Sequence, residues 1–219
     1  MRKIVTLVLL IVFLILSVCT FASCEDSEFG IRDKNDPFVE LTISNGDKIR
    51  LELYPDVAPI SVANFLKYVE DGFYDGVIFH RIIRGFMIQA GGFEEKDGMF
   101  SQKEATYGTI KGEFALNNVS NNLSHTRGVI SMARATAYDS ASSQFFICSD
   151  ITSDNTRSLN GKYAAFGRVI DRESMDVVSR LEKVLTTSAY LYYGETPNLS
   201  DDVPVEPIYI QTARIIKID

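Results

Sequence analysis

Apolar and polar residues alternate in two neighbouring runs near the start of the main body of the chain. Val39, Leu41 and Ile43 alternate with Glu40 and Thr42, and beyond Asn45-Gly46-Asp47 the residues Ile49, Leu51 and Leu53 alternate with Lys48, Arg50 and Glu52. A period of two with one apolar face predicts strands, and the Asn-Gly turn makes them a hairpin. From Ala58 the period changes. Val62, Phe65, Leu66 and Val69 fall at i, i+3, i+4 and i+7, with Pro59 at the start and Asp71-Gly72 at the end, which predicts an amphipathic helix. Short strand runs follow at 77–82, 86–90, 128–133, 144–148 and 163–170, separated by loops rich in Gly, Asn, Ser and Asp. A second helix is predicted from about Ser174, with Val177, Val178, Leu181, Val184 and Leu185 on one face. The stretch 186–206, with Pro197, Pro204 and paired aspartates, reads as irregular, and 207–218 closes as a strand. The fold class is therefore mainly β. About eight short strands in consecutive antiparallel pairs, each with one buried face, predict closure into a barrel capped by two helices.

The pattern ahead of this body is different. Met1-Arg2-Lys3 precedes a run from Ile4 to Ala22 whose apolar character is broken only by Thr6, Ser17 and Thr20. A basic segment followed by an apolar one is the signature of an export signal, although the run is also long enough for a membrane-spanning helix. Phe21-Ala22-Ser23-Cys24 resembles a bacterial lipobox, and Leu16-Ser17-Val18-Cys19 is a second candidate with a less suitable residue before the cysteine. The expected organisation is a lipoprotein-type signal peptide at 1–23, a polar tether at 24–36 and one domain at 37–219. The domain would then be exported and held on the extracytoplasmic face of the membrane through a lipidated Cys24.

Charge and cysteine content narrow the chemistry. The formal net charge is −7, with no cluster of Lys and Arg, which argues against a nucleic-acid partner. Removal of the signal segment takes the charge to −9. Of the three cysteines, only Cys148 lies in the domain, so no intramolecular disulfide can staple it. Cys148 ends the apolar run Phe145-Phe146-Ile147 and is expected to be buried rather than reactive.

Candidate chemistry concentrates in four runs. These are Phe79-His80-Arg81-Ile82-Ile83-Arg84-Gly85-Phe86-Met87-Ile88-Gln89-Ala90-Gly91-Gly92, then His125-Thr126-Arg127-Gly128-Val129-Ile130-Ser131-Met132-Ala133-Arg134, then Ser142-Ser143-Gln144-Phe145-Phe146-Ile147, then Leu159-Asn160-Gly161-Lys162-Tyr163-Ala164-Ala165-Phe166-Gly167. Read as β-structure, the first run sets Arg81 and Gln89 on neighbouring strands beside the apolar Phe86 and Met87. In this order and spacing the runs resemble the cyclophilin family of peptidyl-prolyl cis/trans isomerases, over roughly residues 37–219.

The resemblance implies a closed eight-stranded antiparallel barrel with two capping helices and a substrate groove on its outer surface. It places the catalytic arginine at Arg81 and the glutamine that orients it at Gln89. The floor of the proline pocket falls on Phe86, Met87, Phe146 and Leu159, the groove continues along Ala133, Arg134, Ala135 and Gln144, and Tyr163 stands where the family often has histidine. It implies proline-containing polypeptides as partners, no cofactor or metal, and a monomer. A non-catalytic chaperone or adaptor that keeps the groove is the alternative. His80 and His125 are expected to be structural, because isomerisation removes no proton. Three positions depart from the family pattern: Arg84 replaces a common proline, Arg134 a common asparagine, and Ser158 a common aromatic residue. The last implies weak binding of cyclosporin.

Overall fold

The computed structural model describes residues 29–150 and 154–218. The chain divides into Met1–Gly30 and Ile31–Asp219, and the second unit carries the fold. The signal segment and Cys24 lie outside the described residues.

The opening hairpin forms as its alternation requires. β1 (Phe38–Ile43) pairs with β2 (Lys48–Leu53) in antiparallel register, and their apolar residues are buried on one face. Ahead of β1, the backbone N–H groups of Arg32 and Asp33 donate to the carboxylate of Glu52, at 2.9 and 2.7 Å, and the Arg32 guanidinium lies over the Tyr54 ring. Glu52 is fully buried, so these bonds provide its compensation.

Helix α1 (Pro59–Glu70) has no side-chain cap of its own at Ala58. Glu113 supplies it from a distant loop: its carboxylate accepts from the N–H groups of Ile60 and Ser61 and from the Ser61 hydroxyl. Pro59 occupies a position whose missing N–H costs nothing.

The central strands are β3 (Arg81–Ile83), β4 (Met87–Ala90), β7 (Val129–Met132), β8 (Phe145–Cys148) and β9 (Ala165–Val169). With β1, β2 and the C-terminal β12 (Ile210–Ile216) they build one curled antiparallel sheet in the order β12-β1-β2-β9-β7-β8-β4-β3. The paired isoleucines Ile82, Ile88, Ile147 and Ile130 form one inward-facing row across four strands. The buried rings of Phe65, Tyr74, Phe145 and Phe166 pack against one another in the core. Pairing ends at β3 and β12. The segments just before these strands meet through an Ile78–Tyr209 bridge, and no β3–β12 ladder forms among the described residues. The sheet is therefore curled, but no continuous ladder closes it as the barrel expectation required. α1 lies against β12 and β9, a short α2 (Asp154–Arg157) follows β8, and α3 (Arg172–Leu181) lies against β2.

Two stretches differ from the sequence expectation. α3 starts at Arg172, where Asp171 caps the Ser174 N–H, and it ends at Leu181, so Val184 and Leu185 are beyond it. Leu185 is 80% exposed. The stretch read as irregular is a long hairpin of β10 (Thr186–Tyr193) and β11 (Thr196–Pro204). β10 also pairs in parallel with β6 (Met99–Gln102), which forms a tight hairpin with β5 (Phe93–Lys96) around Asp97-Gly98. The result is a second sheet, β11-β10-β6-β5. Both prolines sit in β11, an edge strand, where a missing N–H disturbs no inner ladder.

Candidate active site

Strand register assembles the site. Arg81 is directly opposite Gln89 on β3 and β4, Gln89 opposite Phe146 on β8, and Phe146 opposite Ser131 on β7. Residues opposite one another project to the same side, so a cation, an amide and a ring form one row on the outer face. Two residues along, Ile83, Met87 and Cys148 form the next row. A buried cluster of Met87, Phe146, Cys148 and Leu159, with Ile83, Phe86, Ala133 and Tyr163 against it, is the resulting apolar floor. The turn before Phe86 is held from below, where the Gly85 N–H donates to Glu182 at 3.0 Å.

A cavity of about 430 Å³ opens over this floor. It is lined by Arg81, Phe86, Met87, Gln89, Ala133, Arg134, Gln144, Phe146, Leu159 and Tyr163, together with His80, Leu191, Tyr193 and Ser200. A second cavity, of about 270 Å³, shares Gln89, Ala133, Arg134, Gln144 and Tyr193 with the first and adds Ala135, Ser140 and Ser142. Every site residue expected from the sequence within the domain therefore lines one of two adjoining cavities, Ala135 only the second.

Hydrogen bonding refines the expected role of Gln89. Its amide nitrogen donates to Gln144 Oε1 at 2.9 Å, which leaves its own oxygen as an acceptor beside Arg81. No Arg81–Gln89 hydrogen bond and no carboxylate partner for the Arg81 guanidinium occur among the described residues. Gln144 lies tightly over Gly92, where a Cβ would come within 2.4 Å of its amide nitrogen, so the glycine makes room for this side chain. His80 is buried beside the row, its ring 4.7 Å from that of Phe93. Burial pushes its pKa down to about 4, so it is neutral at pH 7.

The floor has a rigid support that the sequence did not disclose. His125 stacks beneath Phe146 at 6.0 Å, its Nδ1 lies 3.0 Å from Asn160 Oδ1 and its Nε2 2.9 Å from the Ser131 hydroxyl. The amide oxygen can only accept, so Nδ1 carries the proton and Nε2 accepts from Ser131. Burial pushes this histidine down to about 4 as well. Tyr163 meets Phe146 edge to face at 5.8 Å. Arg134 is pinned rather than mobile: its guanidinium lies over Tyr163, Phe114 and Tyr138 and donates to the carbonyls of Lys162, Ala135 and Thr136. Cys148 is buried under the floor, with its thiol pushed up to about 12, and takes no reactive role.

Leu191, Tyr193 and Ser200 come from the β10–β11 hairpin and were not expected at the site. The period-two order of Ala189, Leu191 and Tyr193 was the available signal.

Comparison with known proteins agrees with this architecture. The sequence profile of the family described as cyclophilin type peptidyl-prolyl cis-trans isomerase/CLD matches residues 38–215. The chain is 41% identical over 182 residues to a peptidyl-prolyl cis-trans isomerase of Acinetobacter baylyi, covering 83% of this chain and 86% of the relative. It is 39% identical over 176 residues to peptidyl-prolyl cis-trans isomerase B of Escherichia coli, covering 78% and 96%. The crystal structure of a cyclophilin-type peptidyl-prolyl cis-trans isomerase of Cryptosporidium parvum superposes with a TM-score of 0.62 at 25% identity, over 84% of this chain and 99% of that one. The same Cryptosporidium protein in the presence of the dipeptide Ala-Pro gives 0.60 at 26% identity, over 82% and 98%. The profile match, the sequence relatives and the structural superposition agree, and the chain belongs to the cyclophilin-type peptidyl-prolyl cis-trans isomerase family.

Proposed function

We propose that the groove catalyses cis/trans isomerisation of X-Pro bonds, with Arg81 as the catalytic group. Amide resonance opposes the rotation with a barrier of about 20 kcal/mol, while the two isomers differ by only about 0.5–1 kcal/mol. No bond is made or broken, so the site has to hold the ring, let the preceding carbonyl turn and favour the twisted state. In that state the nitrogen recovers its lone pair and becomes a hydrogen-bond acceptor, which the planar amide is not. A guanidinium aimed at it binds the transition state selectively, and that is the condition for rate enhancement. Phe86, Met87, Phe146 and Leu159 seat the ring, while Gln89, held by Gln144, presents its oxygen as the acceptor the guanidinium would engage when substrate is bound. The observation that carries this reading is the Arg81–Gln89 pair at the rim of an apolar cavity.

Isomerisation of a short Ala-Pro peptide by wild type and Arg81→Ala tests it. We expect the wild type to exceed the uncatalysed rate and the variant to lose about 100-fold or more in kcat/KM. Background rates for both would overturn the assignment.

The setting we propose is the folding of exported proteins, where uncatalysed prolyl isomerisation takes tens to hundreds of seconds. The basic and apolar residues of 1–23 and the small residues before Cys24 support export and lipid anchoring there. Mass spectrometry of the mature N-terminus should find a lipid-modified Cys24, and an unmodified residue at that position would refute the anchor.

A further inference from the structure

We propose that the β10–β11 hairpin is a wall of the substrate groove, and that Tyr193 recognises an apolar or aromatic side chain next to the proline. This rests on the isomerase reading of the same groove. β3, which carries Arg81, ends the eight-stranded sheet, and β11 lies alongside it. An uncovered sheet edge at this place would leave the groove open on one side.

The hairpin is firmly held there. Leu191 is buried with Ile78, Phe93 and Val203, and Tyr193, two residues on and on the same face, meets Phe93 edge to face at 5.2 Å. Tyr190 and Tyr192 project to the other side of β10. Tyr193 nevertheless keeps 42% of its surface exposed, and that surface borders both cavities. Of the residues shared by the two cavities, it alone comes from the second sheet.

An extended peptide advances about 3.3 Å per residue, and Phe146 and Tyr193 line the same cavity, so a chain with its proline over Phe146 that continues into the second cavity brings the residue next to the proline to Tyr193. A ring already fixed by Phe93 offers contact area at little cost in side-chain entropy. Neither cavity is lined by a carboxylate among the described residues, so nothing there favours a cationic neighbour over an apolar one.

The test is a peptide series in which Ala, Leu or Phe precedes or follows the proline, measured for turnover and, by titration, for binding. Wild type should prefer Phe or Leu over Ala at one of the two positions. Tyr193→Ala should shrink that preference about threefold to tenfold, chiefly in KM, and Tyr193→Phe should retain it. If the alanine variant does not fold, Tyr193→Leu removes the ring while keeping contact with Phe93. No preference in wild type, or an equal loss on all peptides in the variant, would overturn the proposal. Arg81→Ala, run in parallel, separates the two readings. Its failure to lower turnover would sink the assignment of the reaction, whereas the binding ratios report on Tyr193 alone.

Discussion

Arg81 and Gln89 face each other because they are paired residues of one short hairpin, and Gln144 then holds the amide of Gln89. The family resemblance of their motifs picked out these residues, and the structure shows that register sends Arg81, Gln89 and Phe146 to one side of the sheet. The partners were not legible: that Gln89 commits its amide nitrogen and keeps its oxygen free depends on a residue 55 positions away. Ser158 is a second case at this scale. It is exposed, next in sequence to Leu159, and its hydroxyl donates to the Asn155 carbonyl at 2.6 Å, so it presents a small polar group where the family often has a ring. Cyclosporin should therefore inhibit the wild type weakly. Ser158→Trp should improve inhibition about tenfold through restored stacking. Tight inhibition of the wild type in an inhibitor titration would refute the role given to this position.

At the scale of elements, helix α1 shows how local pattern and distant contact divide the work. Its apolar period and Pro59 specify the helix, yet the N–H groups of its first turn are satisfied by Glu113, more than fifty residues on. Glu113→Ala should lower unfolding stability by about 2–4 kcal/mol, since it strands several buried donors at once; urea denaturation measures this. A change below 0.5 kcal/mol would mean that water replaces the carboxylate. The β10–β11 hairpin is the opposite case. Its alternation, Ala189-Leu191-Tyr193, is clear, but Pro197, Pro204 and Asp201-Asp202 look like loop chemistry. They are compatible with a strand because β11 is an edge and because the strand shifts register there, with Asp202 at a φ of 65°.

For the molecule as a whole, the two buried histidines set a pH response. Both are held neutral with pKa values of about 4, below the ordinary value of 6.5, so the unfolded chain takes up their protons first as pH falls. The stability they permit is complete above about pH 6.5 and declines between there and pH 4, by on the order of 3 kcal/mol for each. Urea denaturation at pH 7 and pH 5 should show the loss, and His125→Gln should reduce the slope. A flat profile across that window would contradict burial of the neutral rings. The same comparison of near and distant causes applies to the fold. The sequence by itself determined the first hairpin, both long helices, the central strands and the Arg81–Gln89 pair, because period-two and period-3.6 patterns and strand register are local, whereas the apolar floor was reached only through the family resemblance, since Phe86, Met87, Phe146 and Leu159 come from separate segments. Only the tertiary structure decided three things: that β12 and β3 form no ladder of their own among the described residues while the segments just before them meet through the Ile78–Tyr209 bridge, that His125, Ser131 and Asn160 brace Phe146, and that a second sheet brings Tyr193 to the groove. Each depends on contacts between segments far apart in the chain, and no local periodicity encodes which distant surfaces will meet.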